Sequence, residues 1–442
     1  MVTTAVAATP DAPVWSAPRR FAFRTLFTYL VLYEFDEAFL GLLNPVFRAL
    51  NAPRGPRAMY RILWDPPARW IGVHVFSVDS ALLAPFNSNT DSGIHYARVG
   101  CFLLMAVVVA AVWTLIDRRR EYLALNAWLS DFLRFALAIN LLPYAVNKVI
   151  PVQMLPGHLF TTYLIQPLGA KSSAGLLWAF VGYSVPYQMF SGAVELLGCL
   201  LLLSRRTLAV GAMLALAASV NVAVLNLCYD VNVKLFALNM VVAALALSWP
   251  VFSAIWRLFV LRRAVAPSVI RRRGTGVRTK LAMGAFAALF AVQGYQNVVA
   301  AYAEFKTQSG LPTATPLYGI YDVEVFRRNG ENLPPLTTDD RRWRRVVMET
   351  PRDVSVQRMD DSFDHYRAEF NRAATQVKLF GAGQNSVPAG VFVWSVSEGG
   401  AVELRGNVGA DALELSLKPI DRIAFPLMSG GFRWVQARST VR

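Results

Sequence analysis

Glu195 is a lone carboxylate in the apolar run FSGAVELLGCLLLL, and its position defines a chemical problem. An ionised side chain near the middle of a bilayer costs about 3 kcal/mol on insertion scales unless it faces a partner or water. Counting the rise per residue back from Arg205 and Arg120 puts Glu195, Arg134 and Asp131 near one depth. Asp131 and Arg134 are also three apart, so they share a helix face. The expectation is a buried network of Glu195, Arg134 and Asp131. It serves either as a clamp fixing helix register, or as a proton relay or the polar floor of a ligand pocket.

A second set of polar groups gathers toward the opposite ends of the same helices. Tyr144, Asn147 and Lys148 close one apolar run; Tyr187 and Gln188 open the next; Asn221, Asn226, Asp230, Lys234 and Asn239 surround the two after that. Glu34, Asp36 and Glu37 reach the same level from the first run. Lysines in apolar surroundings can act as bases, which makes Lys148 and Lys234, with Glu195, the candidate catalytic groups. Snorkelling anchors are the plainer reading of both lysines. Tyr144, Asn147, Gln188, Asn221, Asn226, Asp230 and Asn239 are the residues expected to line a cavity open to the outside. Asp230 and Lys234 have the spacing of a helical ion pair.

Those positions require membrane helices. The chain is 55% hydrophobic and 17% charged, its mean hydropathy is +0.38, and its net charge is +15. Its arginines cluster between apolar spans, as the positive-inside bias requires, so nucleic-acid binding is not expected. The cysteines, Cys101, Cys199 and Cys228, lie singly in apolar runs without a CxxC. His74, His95, His158 and His365 are scattered without metal-type spacing and read as surface or interfacial. No metal site is expected.

Residues 1–18 read as a disordered, Ala/Thr/Pro-rich start and 19–303 as the membrane domain. Seven spans are predicted, at about 21–43, 96–116, 122–146, 175–203, 208–227, 233–256 and 281–302. The basic ends Arg19–Arg24, Arg118–Arg120, Arg205–Arg206 and Arg257–Lys280 all fall on one side, which places the N-terminus inside and the C-terminus outside. The stretch 44–90, rich in Pro and aromatics, reads as an interfacial or re-entrant excursion, and 150–173 as an interfacial loop with a short helix.

A Pro/Thr/Gly linker (304–317) then leads to a polar region, 318–442, of period-2 segments such as YDVEVF, WRRVVME, DVSVQRM and ALELSLKPI, ending in GFRWVQA. Eight or nine short strands with frequent turns predict an all-β sandwich or small barrel of up-and-down order. The fold class is thus a helical membrane bundle followed by an extracytoplasmic β domain. The run Arg341–Arg345 is expected to alternate across a strand and, beyond a solvated face, to meet headgroups or an anion. Met359–Ser362 reads as a hairpin turn.

Several segments carry a resemblance. NLLPYAVNK, SGAVELLGCLLLLSRRT and NLCYDVNVKLFALN resemble bacterial membrane proteins described as DoxX-like, and the β tail with YDVEVFRRNG and RRWRRVV looks like that of the long members. The resemblance implies a redox-linked role and quinone as a possible cofactor. Small DoxX-like proteins are four-helix units, whereas this chain has more spans and a β domain. A fainter similarity is to gamma-carboxylase-like (HTTM) membrane proteins, a layout that Lys148 followed by a mid-helix Glu195 would fit. Three functions follow as expectations: a protein of the bacterial inner membrane binding a quinone, lipid-like or other amphipathic molecule in an outer-facing polar cavity; a non-catalytic subunit or scaffold docking a membrane or periplasmic protein partner through its β domain; or a carboxylase-like enzyme. Membrane lipids are partners in each.

Overall fold

The computed structural model describes residues 14–51, 55–83, 91–154, 161–265, 277–381 and 387–430, and the segments GFRWVQA and His158 lie outside them. The chain forms two compact units. One takes the chain through Ile150 together with Met189–Ala300, and the other takes Pro151–Gln188 together with the chain from Ala301 onward. Residues 151–188, which the sequence leaves in the membrane domain, therefore cluster with the β domain.

The helices are α1 (Ala17–Glu34), α2 (Asn44–Ala49), α3 (Pro56–His74), α4 (Gly93–Ile116), α5 (Leu123–Val149), α6 (Thr161–Ile165), α7 (Ser173–Tyr183), α8 (Val185–Leu203), α9 (Leu208–Cys228), α10 (Lys234–Ile255) and α11 (Val277–Ala314). Among the described residues five helices are long and apolar enough to cross a membrane: α4, α5, α8, α9, and α10 with its extension to Val260. The helical unit is membrane-embedded.

Three predicted spans come out differently. The first, α1, carries Arg24 and Glu34 and runs on into a π-helical turn, Phe35–Leu40, that bears Asp36 and Glu37. The fourth is broken at Ser184 (φ −106°, ψ 92°), because Pro186 has no N–H to continue the α7 ladder. The seventh, α11, is diluted by Gln293, Gln296 and Asn297, and its helix runs through the expected linker as far as Ala314. There Arg372 Nη2 donates to the carbonyls of Thr313 (3.3 Å) and Ala314 (2.7 Å), satisfying acceptors that a helix end leaves open.

Small residues set the packing of α8. A Cβ on Gly192 would lie 2.6 Å from Lys148 Cβ and 2.9 Å from the Ala145 carbonyl, so α8 meets α5 backbone to backbone there. Further along the same stripe, Cys199 Sγ lies 3.2 Å from the Ala138 carbonyl. Gly211 gives α9 the same closeness to Leu201 and Leu202 of α8.

In the other unit, strands β1 (Gly319–Arg328), β2 (Glu331–Asn332), β3 (Trp343–Thr350), β4 (Asp353–Arg358), β5 (Phe363–Asn371), β6 (Gln376–Phe380), β7 (Gly390–Val396), β8 (Val402–Val408) and β9 (Asp411–Ile420) follow one another as an antiparallel meander. β1 also pairs with β9, so the sheet closes into a barrel of eight strands, β2 being a short addition to β1. The alternative of a two-sheet sandwich does not hold. Alternate residues point inward, among them Val346 and Met348, Val354 and Val356, Phe392 and Trp394, and Leu413, Leu415 and Leu417. At eight strands an interior is just wide enough for such side chains to fill.

The arginine run does not make an anion site. Arg342 is buried and donates to the carbonyls of Leu333 (2.9 Å), Trp343 (3.0 Å), Val323 (3.0 Å) and Glu324 (3.3 Å). Arg344 pairs with Asp361 at 2.5 Å, Arg345 with Asp322 at 2.8 Å and Arg341 with Asp339 at 3.3 Å. Residues Met359–Ser362 form the expected hairpin turn, with Asp361 at φ +67°. On the barrel's outside Glu349 accepts from Thr161 Oγ1 (2.6 Å), Thr162 N (2.8 Å) and Thr162 Oγ1 (2.8 Å), seating α6 over Ile320 and Val347.

Candidate functional site

The structure does not join the charges of the helical unit into the expected network, and three of its charge groups bear on the site. Arg134 is buried 3.3 Å from Asp131, and Asp131 is held at 2.5 Å by Arg205. This cluster joins the basic end of α8 to α5. Glu195 is not part of it. Its carboxylate takes the ammonium of Lys148, and both side chains are buried. Gly192 explains the geometry: the α8 backbone touches α5 at Lys148, so the lysine chain runs along α8 and meets Glu195 one turn further on.

The third group lies around the π-helical turn. Such turns widen the backbone ladder and leave carbonyls free, and they recur at functional sites. Here Arg57 of α3 uses them, donating from Nε to the Asp36 carbonyl at 3.1 Å and from Nη2 to that of Glu37. Arg57 Nη2 also lies 3.7 Å from the Glu37 carboxylate. Arg98 of α4 is buried; its Nη2 and Nε donate to Asp65 Oδ1 of α3 at 2.6 Å and 3.2 Å, and its Nη1 lies 3.8 Å from Asp36 Oδ2. Asp36 Oδ1 is buried with no hydrogen-bond partner.

One turn before Arg98, His95 holds Nδ1 at 2.6 Å from Ser92 Oγ. A cavity of about 30 Å3 opens here, lined by Tyr33, Asp36, Glu37, His95 and Arg98, with Val99, Phe102, Leu235 and Phe236 as its apolar wall. That volume suits a water molecule or two, and its polar lining would hold them. Phe236 in turn packs on Tyr144 at 5.8 Å, and Tyr144 lies within electrostatic reach of both Glu37 and Glu195. The α3 side chains facing this site are its charged ones. Its opposite face, with Met59, Ile62, Leu63 and Trp70, is apolar and exposed.

Of the expected cavity residues, Tyr144 packs on the wall of this site through Phe236, and Asn239 reaches the backbone of its Leu235. Asn239 is buried, accepts from Tyr29 and donates to the Leu235 carbonyl at 2.8 Å. Asn226 is buried and donates to the Val233 carbonyl at 3.4 Å. Both serve local backbone or a neighbouring tyrosine. Asp230 pairs with Lys234 at 2.6 Å as its spacing requires, and Asp91 accepts from the first backbone N–H groups of α10 at 2.8 Å and 3.0 Å. Lys234 is thus an anchored ion-pair member rather than a free base. Gln188 is fully buried with no partner for its amide, and Asn147 is half-buried. Asn221 is exposed on α9 and is not among the residues lining the cavity described above.

Sequence reasoning missed Arg57, Asp65, His95 and Arg98. The available signal was His95 with Arg98 three residues later, charged groups on one face in the first turn of an otherwise apolar helix.

No family model matches the chain, and no solved structure matches it. Over 116 residues, 26% of this chain, it is 34% identical to the uncharacterized protein YwoB of Bacillus subtilis (strain 168), and the match spans 72% of that protein. On that similarity the chain belongs to the family of YwoB.

Proposed function

We propose that the protein takes up and releases protons at the Asp36–Glu37–His95–Arg98 site in support of a redox-linked reaction of an amphipathic small molecule of the quinone class. The observation that carries this reading is the water-sized cavity on which two carboxylates, an imidazole and a guanidinium converge inside an apolar bundle. Charged groups in such surroundings are costly, and where they line a hydrated space they serve proton or ion traffic. The cavity is too small to enclose a quinone ring, so the ring would lie against the neighbouring apolar surface and exchange protons through the bound water. The DoxX-like look of NLLPYAVNK and SGAVELLG supports the redox link. The carboxylase-like reading is less favoured, since Lys148, its expected base, is taken up in a buried pair with Glu195.

The orientation proposed is that of a bacterial inner-membrane protein with its N-terminus inside and its barrel outside. α1 runs antiparallel along α4, from Arg24 beside Thr114 (2.5 Å) to Asp36 beside Arg98, so it traverses the same thickness. With α11 this supports seven crossings, and in the proposed orientation the cavity lies in the outer half.

The test uses the full chain in mild detergent, with extraction of bound lipid and titration of a short-tailed quinone followed by tryptophan fluorescence. Quinone is expected in the extract, and His95→Gln should weaken the titration about tenfold, the worth of a hydrogen bond or so. An extract without quinone and a titration without saturable quenching would overturn the proposal.

A further inference from the structure

Two residues before Asp36, α1 carries a buried carboxyl of a different kind. Glu34 is fully buried; its Oε2 accepts from Asn140 Nδ2 of α5 at 2.9 Å, and its Oε1 is buried without any hydrogen-bond partner. Among the described residues no lysine, arginine or histidine lies within ion-pairing distance of it. Among the described residues the other buried carboxylates of this unit have a cation, Arg98 for Asp36 and Lys148 for Glu195, and half-buried Asp131 has Arg134 and Arg205.

Among the described residues the elements around Glu34 offer it neutral groups or like charge. On its own helix these are Tyr29 and Tyr33, whose rings stack at 6.2 Å. Asn140 comes from α5. From α10 comes Asn239, whose carbonyl oxygen is taken by the Tyr29 hydroxyl. The charge that acts on Glu34 is Glu37 of the π-helical turn, a second carboxylate, while Arg57, Arg61 and Asp65 of α3 and His95 and Arg98 of α4 gather about Asp36 and Glu37 instead. An ionised carboxylate so placed has no counter-charge among the described residues and a buried oxygen without a donor, and the neutral acid is the form the surroundings accept. Asn140 donates to Oε2, which leaves Oε1 to carry the proton.

We propose that Glu34 is a proton-binding site, a carboxyl kept as the neutral acid within the bundle and able to exchange its proton with the adjoining Asp36–Glu37 cavity. The inference deepens the proton-handling reading given above but rests on the charge balance around Glu34, independent of any quinone.

Dicyclohexylcarbodiimide tests it, because the reagent attacks protonated carboxyls in apolar surroundings. The detergent-solubilised full chain would be treated at neutral pH and mapped by peptide mass spectrometry. Glu34 is expected to be modified, with Glu195, paired to Lys148, unmodified as the internal control. Modification should fall as pH is raised and be indifferent to sodium at constant pH. Glu34→Gln, which mimics the neutral acid, should lose the label and melt at the wild-type temperature. An unlabelled Glu34 in folded protein, protection by sodium, or a Glu34→Gln chain that melts as low as Glu195→Gln would each overturn the proposal. Sodium protection would assign the site to a metal cation instead. A failed quinone titration with Glu34 labelled sinks only the quinone reading, and an unlabelled Glu34 with quinone bound sinks only this one.

Discussion

Replacing Glu195 by Gln while Lys148 stays charged is expected to cost about 3–5 kcal/mol, because it strands a buried ammonium. Removing both charges with Lys148→Met and Glu195→Leu should recover most of that loss, since an apolar pair of similar volume needs no counter-charge. Thermal unfolding of the two chains in one detergent checks this; a Glu195→Gln chain that melts like the wild type would contradict the pairing. The same residues show what could be read from the sequence. That Glu195 needed a cation was legible from its apolar run alone, but which cation was not. Counting depth by backbone rise ranks Arg134 first, whereas a long lysine stem carries its charge away from its own Cα and so escapes such a count. Arg134 instead keeps Asp131, its neighbour on the same helix face, and shares it with Arg205.

At the level of elements, the α5–α8 contact depends on a missing side chain. Gly192→Ala would bring a Cβ to 2.6 Å from Lys148 Cβ and 2.8 Å from the backbone nitrogen of Val149, neither of which is a flexible chain end. The helices must separate, at a cost of about 1–3 kcal/mol, and the Lys148–Glu195 pair loosens with them. Melting of the variant, compared with Gly198→Ala, whose nearest contact is 3.4 Å, measures the effect; equal melting of the two would contradict it. The strands were the most legible elements. In a barrel with one filled interior the sequence of a strand alternates, and segments such as DVSVQRM and ALELSLKPI match β4 and β9. The C-terminal turns of α11 were illegible, because Gly310 and Pro312 argue for a linker and the cap that extends the helix comes from Arg372, far along the chain. The π-helical turn was equally hidden, since the Arg57 guanidinium that occupies its carbonyls belongs to a different helix.

For the molecule as a whole, acid should act first on the barrel. Hydrogen bonds hold three of its carboxyls below the usual carboxylate range: the Arg341 backbone N–H for Asp339, the Ser362 hydroxyl for Asp360 and the Arg328 guanidinium for Asp411. A depressed folded-state value means stability that is present above the unfolded value and lost as pH falls through the folded one, so the loss sets in below about pH 4. Denaturant midpoints of the full chain by near-ultraviolet circular dichroism, which sees Trp343 and Trp394 inside the barrel, should drop as pH falls below about 4. Asp411→Asn should flatten that drop; an unchanged midpoint at acid pH would count against the assignment.

The seat of α6 on Glu349 also bears on how the chain is made. Thr161 and its acceptor are 188 residues apart, so on the ribosome the segment that carries α6 emerges long before the strand that receives it. At about 5–20 residues per second, that wait is on the order of 10–40 s. The seat of α6 must therefore wait through the synthesis of α7 to α11, and the order of biogenesis runs from the apolar spans, through β3, back to a short helix translated long before it.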